Sequence, residues 1–469
     1  MTEHFGVDLP LMRSLVAEGL RNGGSWCDLF FEHTEFLDLL LRDGVVGSGG
    51  HHVDFGCGIR VLNGEKTGYA YAESTDRKSL MEAARAAGAI AASPDSAAMN
   101  YCASPAKAEN ESYYRMERDW LGVPASGFIP YLERLESEIR RRDSRVLKVV
   151  AMLSVSVSRV MMYNSLDELT SDLRPMGNIS VSVVFSQNGK IENNNVSRSL
   201  MAGAEMLTED VLQDLAQRAV YGIDERFEAK RPKGGRMPVV MAAGASGILL
   251  HEAMGHAFEA DFNRKGQSVF ADRMGRKICP SGINVVDDGT VFGSRGACNW
   301  DDEGVRGQKT YMITDGVLTS YLHDRISAAW YGVAPTGNGR RESFRYNPIP
   351  RMRTTYMESG HDGSLQDLIG SVRKGIFVDQ FANGQVKIGE GDFTFYVKSG
   401  RLIENGHLTM PVKDVNIIGN GPEALADIKA VASDLIIDES TWTCGKEQSV
   451  PVSCGIPSVL IGKLTVGGE

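Results

Sequence analysis

Residues 247–261 read GILLHEAMGHAFEAD. Glu252 follows His251 directly, and His256 comes five positions after the first histidine. Ile248, Leu249, Leu250, Ala253, Met254, Ala257 and Phe258 surround them. This pattern predicts a largely buried helix with a few polar groups turned inward. Two imidazoles and a carboxylate in that setting point to a divalent zinc ion and a water to be activated. The plain alternative is a pair of satisfied core histidines.

In the familiar zinc helix, H-E-x-x-H, positions i and i+4 share one face. At about 100° per residue, i+5 falls roughly 140° from the start. A regular α-helix would therefore splay His251 and His256 apart. A π-bulge adds one residue to a turn and lets an i+5 pair converge. The spacing predicts a kinked or bulged helix, with Gly255 as the residue that gives the backbone its freedom.

Upstream of the motif, MPVVMAA (237–243) reads as a strand entering the helix through Gly244. The charged segment ERFEAKRPKGGR (225–236) reads as a linker. Before it come a helix capped by Asp8, the strand-like runs DLFFEH, FLDLLLRDG and DFGCGIRVLNGEKTGYAYA, and a helix from about Asp76 to Ala92. Residues 101–118 look irregular. A charged helix over 130–144, two long strands and a helix capped by Thr208 complete this part. Downstream of Asn263 the chain reads as mostly β. Hairpin turns are expected at Asp315-Gly316 and at Ser399-Gly400, and a late helix over 423–432. The fold class is α+β: an N-terminal α/β domain (1–227) with an antiparallel sheet and helices, and a C-terminal β-rich domain (237–469) carrying the metal-binding helix.

The 469 residues suffice for two or three domains with their own cores. A net charge of −10 argues against a nucleic-acid backbone as the main partner. No run has the apolar length of a membrane span, and the first residues lack the basic and apolar regions of a signal peptide. Seven scattered cysteines without C-x-x-C read as reduced thiols or ligands rather than a disulfide framework. A cytoplasmic location is expected.

A catalytic zinc takes about three protein ligands and keeps a position for water. The nearby candidate is Glu259, which is equally readable as a partner orienting an imidazole or as a solvated helix-end carboxylate. The distant candidates are Cys279, Cys298, Cys444 and Cys454, with His323 behind them. Spacing does not choose among these. Arg340, Arg341, Arg345, Arg351 and Arg353 crowd residues 336–353. They read either as a cleft wall meeting peptide carbonyls or a carboxylate, or as a loop stapled by surface salt bridges.

HEAMGHAFEADFNRKG resembles the central motif of the TldD/PmbA family of metalloproteases. TGNGRRESFRYNPIPRM (336–352), IIGNGPEAL (417–425) and TCGKEQSVPVSCGIPSVLIGKLTVGG (443–468) match the TldD branch, so the resemblance covers most of the chain. It implies that His251, His256 and Cys444 bind zinc and that Glu252 is the catalytic base. Cys444 opens a C-G-K stretch running on to Q-x-V-P-V. Here only Glu447 separates Lys446 from Gln448, one residue fewer than usual, which implies a tighter turn after the ligand. Cys454 reads as a small buried residue. All metal-binding positions are kept, so the chain resembles the active branch rather than the PmbA branch.

The function so implied is a zinc-dependent metallopeptidase of the HExxxH type. It would cleave unfolded or flexible peptides, mature peptide precursors and remove small unstable proteins. The implied assembly is a heterodimer with a PmbA-like partner, or a homodimer. Two other readings remain: a binding or scaffolding subunit with a structural, four-ligand zinc, and a zinc hydrolase of a non-peptide amide.

Overall fold

In a computed structural model of the chain, residues 1–92, 99, 101, 111–387 and 389–468 are described. Cys102 and half of the stretch read as irregular (residues 102–110) lie outside them. The N-terminal half is built on one long-stranded antiparallel sheet. Its strands are β1 (Trp26–Arg42), β2 (Val45–Asn63), β3 (Lys66–Ala72), β4 (Val146–Asn164), β5 (Leu169–Gln187) and β6 (Lys190–Leu200), in the order β3-β2-β1-β4-β5-β6. The runs DLFFEH and FLDLLLRDG are one continuous strand, because nothing between them breaks the ladder to β2 and β4.

Helices cover one face of this sheet. After α1 (Thr2–Phe5), α2 (Leu9–Leu20) begins where the Asp8 carboxylate accepts the Leu11 N–H. It packs with α3 (Arg77–Ala91), capped by Asp76, over Cys27, Leu29, Phe31, Ile59 and Val61. Farther along, α4 (Ile129–Arg142) and α5 (Glu209–Val220, capped by Thr208) bury Leu132, Leu135, Leu212 and Leu215 against Leu39, Val149, Val181 and Val183. The alternating residues on the other face of β1 and β4 turn to the C-terminal half, where Phe30, Val160 and Met162 pack on Phe344. The segment read as a linker is partly ordered structure. It holds the end of α6 (Ile223–Glu228), whose Phe227 is buried, and Lys230 bridges to Val412.

Two further sheets form the C-terminal half. Its strands are β7 (Gly235–Met241), β8 (Val285–Asp288), β9 (Lys309–Thr314), β10 (Val317–Leu318), the short pair β11 (Gly339–Arg340) and β12 (Ile349–Pro350), β13 (Thr354–Met357), β14 (Lys374–Lys387), β15 (Asp392–Glu404), β16 (His407–Val412), β17 (Val415–Asn420), β18 (Ile428–Val431), β19 (Ile436–Lys446), β20 (Gln448–Ile456) and β21 (Val459–Gly467). One sheet has the order β10-β9-β8-β13-β20-β19. In the other, β14, β7, β21, β17 and β15 pair in turn and β15 pairs back to β14, so the sheet closes on itself.

The turn at Asp315-Gly316 has both residues at positive φ, as a two-residue hairpin requires. The turn expected at Ser399-Gly400 is not there. β15 runs through both residues to a turn at Asn405-Gly406, where φ is 51° and 79°. A Cβ on Gly400 would stand 2.5 Å from the Phe377 carbonyl, so this glycine serves a close strand approach where the β14 register slips. The helix expected over 423–432 is also corrected. It stops at Ala426, having begun at Gly421, and Ile428–Val431 pairs with β21 because its β-branched residues fill the sheet core.

Candidate metal centre

β7 leads through Gly244, at φ 85°, into a helical turn at Gly247–Leu250. The next five residues, His251–Gly255, form a π turn, followed by a 3₁₀ turn at His256–Phe258. This is the bulge that the i+5 spacing predicts. The role expected of Gly255 is corrected: its φ is an ordinary helical −55°. A Cβ there would stand 2.0 Å from Met352 Sδ, so the glycine is needed for close packing. Gly247 likewise abuts the Gly455 backbone, which presses the histidine segment onto β20.

Cys444 reaches the same place from β19, paired with Val450 of β20. The hairpin turns through Glu447 alone, at φ 57°, in keeping with the tight turn expected after the C-G-K stretch. Arg351, wholly buried, donates from Nη2 to the Cys444 carbonyl at 2.6 Å and from Nη1 to the Gln448 carbonyl at 2.8 Å. It clamps both strands of the hairpin.

The structure thus brings together His251, His256 and Cys444. One donor atom from each lies within 4.8 Å of the others, and all three residues are buried. Cys444 Sγ is 3.2 Å from His256 Nε2, and the two imidazole rings meet edge to face with centroids 5.4 Å apart. Among the described residues both nitrogens of His251 are buried without a hydrogen-bond partner, which is costly for a polar group inside a protein. Three donors around tetrahedral zinc stand roughly 3.4–3.6 Å apart, given metal–ligand lengths of about 2.0–2.3 Å. A cation among these donors would satisfy the orphaned imidazole, and two nitrogens with one thiolate suit zinc.

The electrostatics alternate in sign. Burial pushes the Cys444 thiol up, but His251 and His256 outweigh it and hold the thiol down at about 4. Burial lowers His256, while Glu259 and Cys444 raise it well above its ordinary value. Burial raises Glu259, and Lys446, then His256, bring it down to about 2.

Of the readings open for Glu259, its surroundings match the orienting partner. It is wholly buried, lies outside the three-donor group, and holds His256 Nδ1 at 2.9 Å from Oε2. Lys446 Nζ stands 3.0 Å from the same oxygen and 2.8 Å from Asp261 Oδ1. Lys446 and Asp261 are functional neighbours that the sequence reading did not single out. Their signals were the lysine two positions after Cys444 and the E-A-D that ends the histidine stretch.

Glu252 is half-buried at the second position of the π turn. Its charge is felt by the buried Cys454 thiol, which burial first, then Asp438 and Glu252, push up. The remaining candidates stand elsewhere. Cys279 and Cys298 are buried apart from the site, and His323 packs beside Ser327 and Tyr331. The surface-salt-bridge reading fits only part of the arginine loop, since most of its guanidinium groups are internal. Arg340, Arg341, Arg351 and Arg353 are all buried, and only Arg345 makes partly exposed ion pairs, to Asp54 and Glu73.

An imidazole pair on a π turn and a thiol from a distant β-hairpin make a buried candidate metal site on this α+β fold. Residues 234–468 match the PmbA/TldA metallopeptidase C-terminal domain, residues 27–91 its domain 1 and residues 118–222 its central domain. The chain is 38% identical over 456 residues to the metalloprotease TldD homolog of Haemophilus influenzae, covering 94% of this chain and 93% of that one. It is 33% identical over 260 residues to the zinc metalloprotease TldD homolog of Saccharolobus solfataricus, covering 55% and 56%. TldE from Thermococcus kodakarensis superposes with a TM-score of 0.75 at 18% identity, over 98% of this chain and all of that one. The chain belongs to the PmbA/TldD metallopeptidase family.

Proposed function

We propose that the protein is a zinc-dependent metallopeptidase that cleaves unfolded or flexible peptides, in precursor processing and in removal of small unstable proteins. The observation that carries this reading is the buried convergence of His251, His256 and Cys444, with both His251 nitrogens otherwise unsatisfied among the described residues. These three residues would hold the metal. Zinc, when bound, supplies a Lewis acid and an acidified water at neutral pH. Glu259 fixes the tautomer and tilt of His256 through Nδ1, and Lys446 fixes Glu259 in turn.

Glu252 is the general base in this reading. It takes a proton from the attacking water and returns it to the leaving amine. That role needs an adjacent carboxylate free of a structural commitment, and no hydrogen bond holds the Glu252 side chain among the described residues. A closed structural zinc would need a fourth protein ligand. Glu259 is committed to His256 and Lys446, which favours the enzymatic reading.

Burial of the donors favours extended chains over folded surfaces as substrates. The likeness to a TldE supports a PmbA-like partner, or a second copy of this chain, as the other half of a dimer. The division into 1–227 and 237–469 belongs to the same proposal, as does a cytoplasmic location, where Cys444 stays reduced. No helix among the described residues is long and apolar enough to cross a membrane.

The test is zinc analysis and cleavage of an unfolded protein, wild type beside Glu252→Ala, with and without a PmbA-like partner. Equal zinc content with cleavage by the wild type alone is expected. Cleavage by neither protein, even with the partner, would move the non-peptide or structural readings ahead.

A further inference from the structure

Between the long N-terminal sheet and the C-terminal half lies a cavity of about 210 Å³. β1 and β4 form its floor, with Thr34, Ser156 and Ser158 facing it, and Pro451 of β20 is in its roof. Pro451 is one residue from Val450, the partner of Cys444. Successive strand residues point to opposite faces. Cys444, Val450 and Val452 face the core beside the metal centre, and Pro451 faces away from it into the cavity.

Five guanidinium groups line this space: Arg174, Arg295, Arg340, Arg341 and Arg353. Arg174 pairs with Asp302 at 2.6 Å, and Arg341 lies 3.6 Å from Asp28. Arg295, Arg340 and Arg353 are buried, exposing 7%, 6% and 5% of their surface. None of the three guanidinium groups has a carboxylate oxygen within 4.0 Å among the described residues. Their hydrogen bonds go to neutral groups. Arg295 donates to the Trp442 carbonyl and Ser199, Arg340 to the carbonyls of Met352 and Pro451, and Arg353 to the Gly337 carbonyl.

Asp287, Asp301 and Asp302 partly answer the charge of Arg353, and Asp302 that of Arg340, while no carboxylate among the described residues acts on Arg295. Asp302 is taken by Arg174 and the Arg341 N–H. Glu32 accepts from Thr34 and the Phe344 N–H, and burial raises its pKa above the ordinary carboxylate value. Glu342 is exposed and accepts the Ser449 N–H. Behind Arg353, Asp287 and Asp301 are engaged by backbone N–H groups and by Asn338. Burial alone draws Arg295 down to about 10, and burial, then Arg353, outweigh the pull of Asp302 and draw Arg340 down to about 9. Buried charge without a partner is strongly unfavourable, and convergent guanidinium forks suit planar or tetrahedral oxyanions.

We propose that this cavity binds a small oxyanion, a phosphate or a carboxylate, between Arg295, Arg340 and Arg353. The anion braces the rear of the hairpin that carries Cys444. It bonds to the same side chains that hold the Trp442 and Pro451 carbonyls, two residues from Cys444 on one strand and one residue from Val450 on the other. The site is on the opposite face of the hairpin from the metal centre, so this inference is independent of the peptidase reading.

The probes are inorganic phosphate and acetate, each titrated against chloride at constant ionic strength, with thermal unfolding and calorimetry as readouts. Phosphate, acetate or both should bind the wild type and raise its Tm by roughly 3 °C near saturation, with no effect from chloride. Arg295→Gln should lose at least tenfold in affinity. A second variant, Ser156→Glu, places a carboxylate in the cavity. It should fold, unfold at a higher temperature without added anion, and no longer respond to phosphate or acetate. Response to phosphate but not acetate, or the reverse, identifies the source of the oxyanion. The proposal is overturned if neither anion acts beyond chloride, or if Ser156→Glu keeps the full wild-type response.

Discussion

His256 Nε2 lies 3.2 Å from Cys444 Sγ although 188 residues separate them. The contact joins the π turn to the β19–β20 hairpin, which also meets the histidine segment through Gly247 on Gly455 and Glu259 on Lys446. A metal held there therefore ties two parts of the C-terminal half together.

Metal removal should loosen both segments at once. With a chelator present, amide hydrogen exchange over residues 247–258 and 436–456 should quicken by tenfold or more, while β1 and β4 keep their protection. Unchanged protection of the hairpin would show that the metal does not link them.

Glu259→Gln keeps the volume but removes the charge that faces His256 and Lys446. Loss of such a supporting carboxylate typically costs 10- to 100-fold in metal affinity or activity. Zinc competition with a chromophoric chelator should show a loss in that range. A variant with wild-type affinity would mean that Glu259 is only a structural ion-pair partner.

Gly255→Ala should destabilise the protein by about 1–3 kcal/mol, the usual cost of overpacking. The new methyl group meets Met352, which is wholly buried, at 2.0 Å from Sδ. Urea denaturation would check the loss, and adding Met352→Val should recover part of it. If Gly255→Ala alone were neutral, the close-packing role given to this glycine would fail.

Lys398 gives a prediction in pH. Burial, then Arg226 and Arg218, lower its pKa from 10.5 to about 8. Because the folded value is depressed, its favourable contribution is present above about 10.5 and is lost as pH falls through 8. Below pH 8 the charged ammonium is a burden, on the order of 1–3 kcal/mol after solvent screening. Lys398→Met should thus stabilise the protein at pH 6.5. Near pH 10.5 the gain should vanish or reverse, because the bond from Nζ to the Asn195 carbonyl is lost. Equal effects at the two pH values would contradict this account of Lys398.

Local chemistry made much of this structure legible in advance. Asp8, Asp76 and Thr208 are caps whose side chains compete for free backbone N–H groups, so they mark helix starts without tertiary help. The π turn followed from arithmetic on the spacing of His251 and His256. What failed depended on long-range packing. Gly400 looks like a turn residue, yet it is fixed by the Phe377 carbonyl across the sheet. Ile428–Val431 continues a helical pattern on paper but pairs with β21. Nothing in the spacing of the arginines at 340–353 shows that four of them face inward. Their partners are carbonyls and carboxylates far along the chain, from Asp28 to Pro451.

Zinc K-edge absorption on protein loaded with one equivalent of zinc, wild type beside Cys444→Ser, tests the metal centre most directly. Expected in the wild type is one sulfur at about 2.3 Å with nitrogen or oxygen ligands at about 2.0–2.1 Å. The sulfur shell should vanish in the variant. A sulfur shell that survives Cys444→Ser, or a wild-type spectrum without sulfur, would contradict a zinc held by His251, His256 and Cys444.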